Sequence, residues 1–362
     1  MVVAAKTQAP GSPADPGQAG LDSFSVSLAQ RSLMALWKLP DVLTPEPRTA
    51  VLPQLWRWSE VRELLMRSGE LIGTGEADRR VLLLANSGLA PRPATTQSLV
   101  AGLQLLMPGE LAPTHRHTPA ALRFIMEGEG GHTTVDGERT RLRAGDFVTT
   151  PNWTWHDHGN DGTEPVVWLD GLDVPFIMAM NQIFYEPYPA EAQPVAKAEG
   201  DSIRRYAMGV RPTYETFTGL HSPVLNYSYE RIREVLDHLA GTGEGSPYDD
   251  VMVEYRNPYT GASVLPTMAA YAQLLRPGTR SQAHRHTSST IYLVGEGSGQ
   301  SVIDGQCVEW ERNDVFVVPT WAWHEHRNAS PSSPAVLFSY TETPILNALG
   351  LFREQARGEG GE

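Results

Sequence analysis

The chain has 362 residues, 42 of them acidic and 29 basic, which leaves a net charge of −13 near neutral pH. That surplus of acid removes the electrostatic footprint of a nucleic-acid binder, and no apolar run approaches the roughly 20 residues of a membrane span. One cysteine, Cys307, excludes an internal disulfide framework and points to a reducing, cytoplasmic setting.

In chain order, residues 1–22 are rich in Ala, Pro, Gly and Gln and read as a disordered tail without the apolar core of a secretory signal. Residues 23–80 read as a helical arm. Val26, Leu28, Leu33 and Leu36 recur at a loose 3.6 period, and Ser59-Glu60 starts a helix through Val61, Leu64, Leu65 and Gly69. From Val81 the period falls towards two. Val81–Leu84 and Gln104–Met107 are short apolar runs close to Pro or Gly, and Asp136-Gly137 supplies the positive φ angles of a tight hairpin. Residues 81–184 therefore predict a barrel or sandwich of short strands. Residues 185–260 read as a linker with a helix near Tyr229–Ala240, residues 261–345 as a second β-domain, and residues 346–362 as a helix and tail.

The two β-domains are copies of one another. His115-Arg116-His117-Thr118 recurs as His284-Arg285-His286-Thr287. Asp136-Gly137 recurs as Asp304-Gly305, and Trp153-Thr-Trp155-His156-Asp-His158 as Trp321-Ala-Trp323-His324-Glu-His326, both at a slightly shorter offset. A single one-residue deletion registers the whole match.

Eight of the eleven histidines fall in these His-x-His pairs. In a strand, residues i and i+2 share a face, so His115 and His117 project together and a second strand brings His156 to the same interior. Three imidazoles from two strands make a metal site with open positions, and imidazole suits Zn, Cu, Fe and Ni. Spacing alone does not choose the metal. Neutral ligands leave the ion its full dipositive charge, which a chelating anion would offset. His284, His286 and His324 give a possible second metal site. A two-site metalloprotein that binds or isomerises a small acid without O2 chemistry is the alternative reading here.

Gly109…His117 and Gly145…Asn160 meet the two-part cupin signature, Gly-(x)5-His-x-His and Gly-(x)5-Pro-(x)4-His-(x)3-Asn, so the chain resembles a bicupin. In the second copy Asn313 replaces the glycine of the second motif. Ala121, Leu122, Thr290 and Ile291 stand where metal-binding cupins often carry a glutamate, which separates the chain from oxalate decarboxylase-like and germin-like bicupins. More narrowly, Ala101–Gln104, His115–Thr118, Leu122–Phe124, Trp155–Asn160 and Trp168–Asp173 resemble the gentisate 1,2-dioxygenase family. Salicylate and 1-hydroxy-2-naphthoate dioxygenases are its close relatives. The likeness runs from about residue 30 to 353. Val100 departs from it, standing where an aromatic is usual.

That resemblance implies a mainly β fold: two tandem cupin (double-stranded β-helix, jelly-roll) barrels behind an N-terminal helical arm, assembled as a homotetramer. It also implies Fe(2+) on His115, His117 and His156, with a small aromatic acid and O2 as co-substrates. Arg123 shares the parity of the ligands, and its planar fork fits a carboxylate. His158 is two residues beyond a ligand and can act as acid, base or hydrogen-bond partner. Asp170, among apolar neighbours, is expected to orient the substrate's 5-hydroxyl or to anchor His158. Gln104 and Arg79 are expected to contact substrate. Trp153 and Trp155 are expected in the core. In the second copy Tyr292 replaces Arg123 and Phe338 replaces Asp170, so that barrel is not expected to be the main catalytic centre.

Overall fold

The computed structural model describes residues 16–73, 77 and 79–358. A small N-terminal unit ends at Arg48, and a large unit starts at Thr49. The expected tail over residues 1–22 lies largely outside the described residues, but a helix already runs over Pro16–Ala29, followed by a 3-10 turn at Leu36–Lys38.

The large unit is built on four antiparallel sheets, six, six, five and five strands wide. In barrel 1 the wider sheet places Ala121–Glu127 beside Val166–Leu172, and Val166–Leu172 beside Val100–Leu106. Its narrower sheet runs Tyr185–Pro187, Leu111–His117, His156–Asn160, Gly131–Val135 and Glu138–Arg141. Barrel 2 repeats the plan with Thr290–Glu296, Ala335–Thr341 and Ala269–Leu275. The Asp-Gly hairpins are as expected: φ is +43° and +79° at Asp136 and Gly137, and +47° and +82° at Asp304 and Gly305. Asn313 can replace Gly145 because Asn tolerates the left-handed region both positions need, at φ +70° and +90°.

The central strands of the wide sheets are buried on both faces, and their alternation sorts a shared core from the two barrel interiors. Ala101, Leu103, Leu122, Phe124, Val167 and Leu169 pack against Ala270, Ile291, Leu293, Phe338 and Tyr340 in one core shared by the barrels. Phe124 stacks on Phe338 at 4.7 Å between ring centres, a contact worth about 1 kcal/mol beyond its burial. The alternate residues turn into the barrels: Leu106, Ile125, Val148 and Trp168 in barrel 1, and Tyr292, Val294, Phe316 and Leu337 in barrel 2.

This sorting corrects one pairing between the copies. Asp170 faces Arg123 across its strand pair, whereas Tyr292 faces Ser339. Ser339, not Phe338, is therefore the counterpart of Asp170. The loop before Ala335 is one residue longer than the loop before Val166, which restores the offset seen at the first His-x-His pair.

The part of the arm that belongs to the large unit, from Thr49, also reaches the far barrel. Its strand Gln54–Trp56 pairs with Val315–Val318 of barrel 2. The helix Trp58–Leu71 begins where the Trp58 amide donates to Asp314 Oδ1 of that barrel at 2.7 Å, satisfying one of the amides a helix start leaves open.

Candidate active site

His115 and His117 lie on Leu111–His117, and His156 opens the neighbouring strand, paired opposite His115. The candidate ligand atoms of these three histidines lie within 4.8 Å of one another. Each ring is held by its far nitrogen. Nδ1 of His115, His117 and His156 meets the carbonyls of Pro113, Pro119 and Thr154 at 2.8, 2.7 and 2.9 Å. These backbone bonds fix the tautomer and turn the Nε2 atoms to a common point, where Arg79 Nη1 meets that of His115. Nε2 of His156 is buried without a hydrogen-bond partner.

Burial, and then the nearby Arg79 guanidinium, pulls His115 down to a pKa of about 3. Burial likewise takes His117 to about 4 and His156 well below the usual imidazole range. The rings are neutral and ligand-ready at pH 7. Three neutral, pre-aimed imidazoles with a buried orphan nitrogen fit a divalent transition metal.

Beside the cluster is a cavity of about 330 Å³ whose wall includes Arg79, Gln104, His117, Arg123 and Asp170. Four polar residues singled out from the sequence thus meet one of the candidate metal-ligating histidines. Arg79 comes from the residues just before the strand Arg80–Leu83, and its Nη1 lies 2.5 Å from His115 Nε2. Gln104 is buried, with Nε2 unpaired at the cavity wall. A larger cleft of about 480 Å³, lined by Lys197, Arg205 and His221 among others, shares none of these groups.

Arg123 and Asp170 meet across their strand pair, Nε to Oδ1 at 2.9 Å, both almost wholly buried. Arg123 Nη1 also donates to Thr150. Burial raises the Asp170 carboxyl above its ordinary pKa, and Arg123 opposes that rise. Asp170 is thus placed on Arg123, not on His158 as one reading expected. Nδ1 of His158 is instead 2.8 Å from the Thr133 hydroxyl, and its ring lies 5.7 Å from that of His156. His158 is fully buried with Nε2 unpaired; it is not among the residues described on the cavity wall.

Trp153 and Trp155 are not in the core. Arg116, between the two ligands, points out of the barrel with its guanidinium carbon 4.5 and 4.4 Å from the two indole centres. Its Nε and Nη2 donate to Glu186 at 2.9 and 2.6 Å. The strand alternation that sends His115 and His117 inward sends Arg116 outward. Barrel 2 repeats the clamp with Arg285, Trp321, Trp323 and Gln355.

Sequence reasoning passed over Thr150, Thr133 and Arg92. The threonines follow only from strand register. Arg92 lines the cavity from a Pro-flanked loop, where it donates to the carbonyl of Gln97 at 2.8 Å; the Pro-Arg-Pro run was the available signal.

The Cupin domain family matches residues 102–173 and 272–341. The chain is 43% identical over 332 residues to gentisate 1,2 dioxygenase 1 of Aquipseudomonas alcaligenes, covering 91% of this chain and 95% of that one. It is 39% identical to the 5-aminosalicylate 1,2-dioxygenase of a Comamonas species, over 94% of this chain and 92% of the other. Among solved structures, a gentisate adduct of salicylate 1,2-dioxygenase from Pseudoaminobacter salicylatoxidans superposes with a TM-score of 0.88. Its sequence is 33% identical, and the match covers 98% of this chain and 97% of that one.

Proposed function

Because the chain belongs to the gentisate 1,2-dioxygenase family of ring-cleaving bicupin enzymes, we propose that barrel 1 opens gentisate with O2. The bond between the carboxyl- and hydroxyl-bearing carbons breaks and one atom of O2 ends on each of those carbons, giving a ketone and a carboxylate, so the product is maleylpyruvate. The observation that carries this reading is the shared cavity. Arg79, Gln104, Arg123 and Asp170 line one space with His117, so anion recognition and metal ligation act on one small molecule.

His115, His117 and His156 are the residues to hold Fe(2+). When bound, the ion supplies a dipositive centre for chelation of the acid and activation of O2. Arg123 is the carboxylate fork, and Asp170 fixes its rotamer through the 2.9 Å Nε contact. Arg79 and Arg92 add positive charge on the approach side, which draws in the substrate anion despite the acidic chain. Gln104 offers its unpaired amide to a substrate oxygen. His158, held by Thr133, is neutral at pH 7 because burial lowers its pKa, and it is the group to exchange a proton with the ring hydroxyl.

Residues 81–184 are the catalytic barrel and residues 261–345 its degenerate copy. A cytoplasmic homotetramer completes the proposal; the family resemblance supports the assembly, and the lone Cys307 supports the reducing compartment.

Oxygen uptake by the iron-loaded protein, with gentisate, salicylate and 1-hydroxy-2-naphthoate compared side by side, tests this. Gentisate is expected to consume equimolar O2, produce maleylpyruvate absorbance and show the highest kcat/KM. A higher kcat/KM for an acid without the 5-hydroxyl would move the assignment to that acid. No oxygen uptake would end the dioxygenase reading.

A further inference from the structure

Barrel 2 keeps the three-histidine cluster: the candidate ligand atoms of His284, His286 and His324 also lie within 4.8 Å of one another. Two of the far nitrogens are again tied. His286 Nδ1 meets the Ser288 carbonyl at 2.8 Å, and His324 Nδ1 the Ala322 carbonyl at 3.0 Å. His284 Nδ1 instead lies 3.3 Å from the Glu354 carboxylate without a hydrogen bond to it. Nε2 of His284 and of His324 is buried with no hydrogen-bond partner.

A fourth donor is at hand. Asp249 Oδ1 lies 3.8 Å from His284 Nε2. Two donors each about 2.1 Å from a shared ion are about 3.4 Å apart at a tetrahedral angle and about 4.2 Å apart when opposite. The separation of Asp249 from His284 falls between these limits, while Asp249 lies outside the group of donors within 4.8 Å of one another, so a shift of its side chain towards His286 and His324 completes the set. Asp249 is also held for the task. The Ser246 hydroxyl donates to its Oδ2 at 3.3 Å, Gln273 Nε2 donates to its backbone carbonyl at 2.8 Å, and Tyr248 stacks on the His284 ring.

The same place in barrel 1 has the opposite charge. Val81 pairs with Gln104 as Met252 pairs with Gln273, so Arg79 corresponds to Asp250, the neighbour of Asp249. A cation lies against His115 where an anion lies against His284. We propose that barrel 2 binds its own divalent transition-metal ion through His284, His286, His324 and Asp249, in a three-histidine, one-carboxylate site. The carboxylate offsets part of the ion's charge and takes a position that barrel 1 leaves to substrate. Tyr292 and Ser339 stand where Arg123 and Asp170 would recognise an acid. The ion is therefore structural, closed to the ring-cleavage substrate.

Metal content reads this site whatever acid barrel 1 turns over. The unmodified chain, stripped and titrated with Co2+ under chelator competition, is expected to take up two ions per protomer, with His156→Ala and His324→Ala each keeping one. Asp249→Asn is expected to keep both sites but weaken one at least tenfold, and to change the Co2+ visible band of the His156→Ala protein when the two substitutions are combined. Uptake of a single ion by the unmodified chain would overturn the site. An unchanged affinity and band in the Asp249→Asn proteins would remove Asp249 from it.

Discussion

Barrels 1 and 2 share a strand plan, a histidine cluster and an outer arginine clamp, yet barrel 1 lines its cavity with Arg79, Arg123 and Asp170 where barrel 2 has Tyr292 and Ser339 opposite one another. The scaffold-setting contacts recur almost unchanged: Thr133 holds His158 at 2.8 Å, and Ser301 holds His326 at 2.8 Å. Gln104 has its counterpart in Gln273. What differs is two inward places, Arg123 and Asp170 against Tyr292 and Ser339, and the group beside the first histidine, Arg79 in barrel 1 and Asp249 in barrel 2. Tyr292 turns its hydroxyl to His326 at 3.3 Å and packs on Phe316, so it fills volume where Arg123 leaves a cavity. On the proposed reading, metal ligation and substrate recognition are thus separable properties of the barrel, carried by different strands.

Three substitutions test that separation, in decreasing order of effect. His156→Ala is expected to remove the barrel 1 ion and to lower ring cleavage by about a thousandfold, roughly 4 kcal/mol of transition-state stabilisation. Metal analysis with oxygen uptake checks this, and activity above a tenth of normal would mean that barrel 2 shares the chemistry. Arg123→Lys keeps the charge but loses the fork and its contact with Asp170. KM for gentisate is expected to rise about tenfold, close to 1.4 kcal/mol, with a smaller change in kcat. Steady-state kinetics with an unchanged KM would take Arg123 out of the recognition wall. Glu186→Gln makes the barrel 1 clamp resemble that of barrel 2, where Gln355 already serves. Because the Arg116–Glu186 pair is partly exposed, denaturant unfolding is expected to lose under about 1 kcal/mol. A larger loss would show that the two clamps are not equivalent.

Much of this was legible in the sequence because it repeats or alternates. The duplicated His-x-His pairs, the Asp-Gly hairpins and the even spacing from His117 to Arg123 are local signals, and each led to the correct face. The rest depends on register between distant strands. Nothing near Asp170 in sequence says that Arg123 lies opposite it. Every residue of Val100–Leu106 is buried, so the alternation between cavity and shared core leaves no polar trace along most of that strand. The tryptophans misled for a related reason. Large aromatic residues usually mark a core, but here they cover an arginine that the pleat turns outward. The arm's strand Gln54–Trp56 depends on a partner in the last quarter of the described chain, Val315–Val318, beyond the reach of any local pattern.

The shared core has a further consequence for what duplication permits. The Tyr340 hydroxyl of barrel 2 donates to the Val100 carbonyl at 3.1 Å, while Val100 itself lines the active cavity. A Cβ on Gly171, next to Asp170, would come within 2.7 Å of the Tyr340 ring. The floor of the proposed reaction chamber in one barrel is therefore the wall of its sibling. The second copy is free to give up its own substrate yet is not free to leave. Its inward residues can drift while its Phe338–Tyr340 surface stays under obligation to a reaction carried out next door.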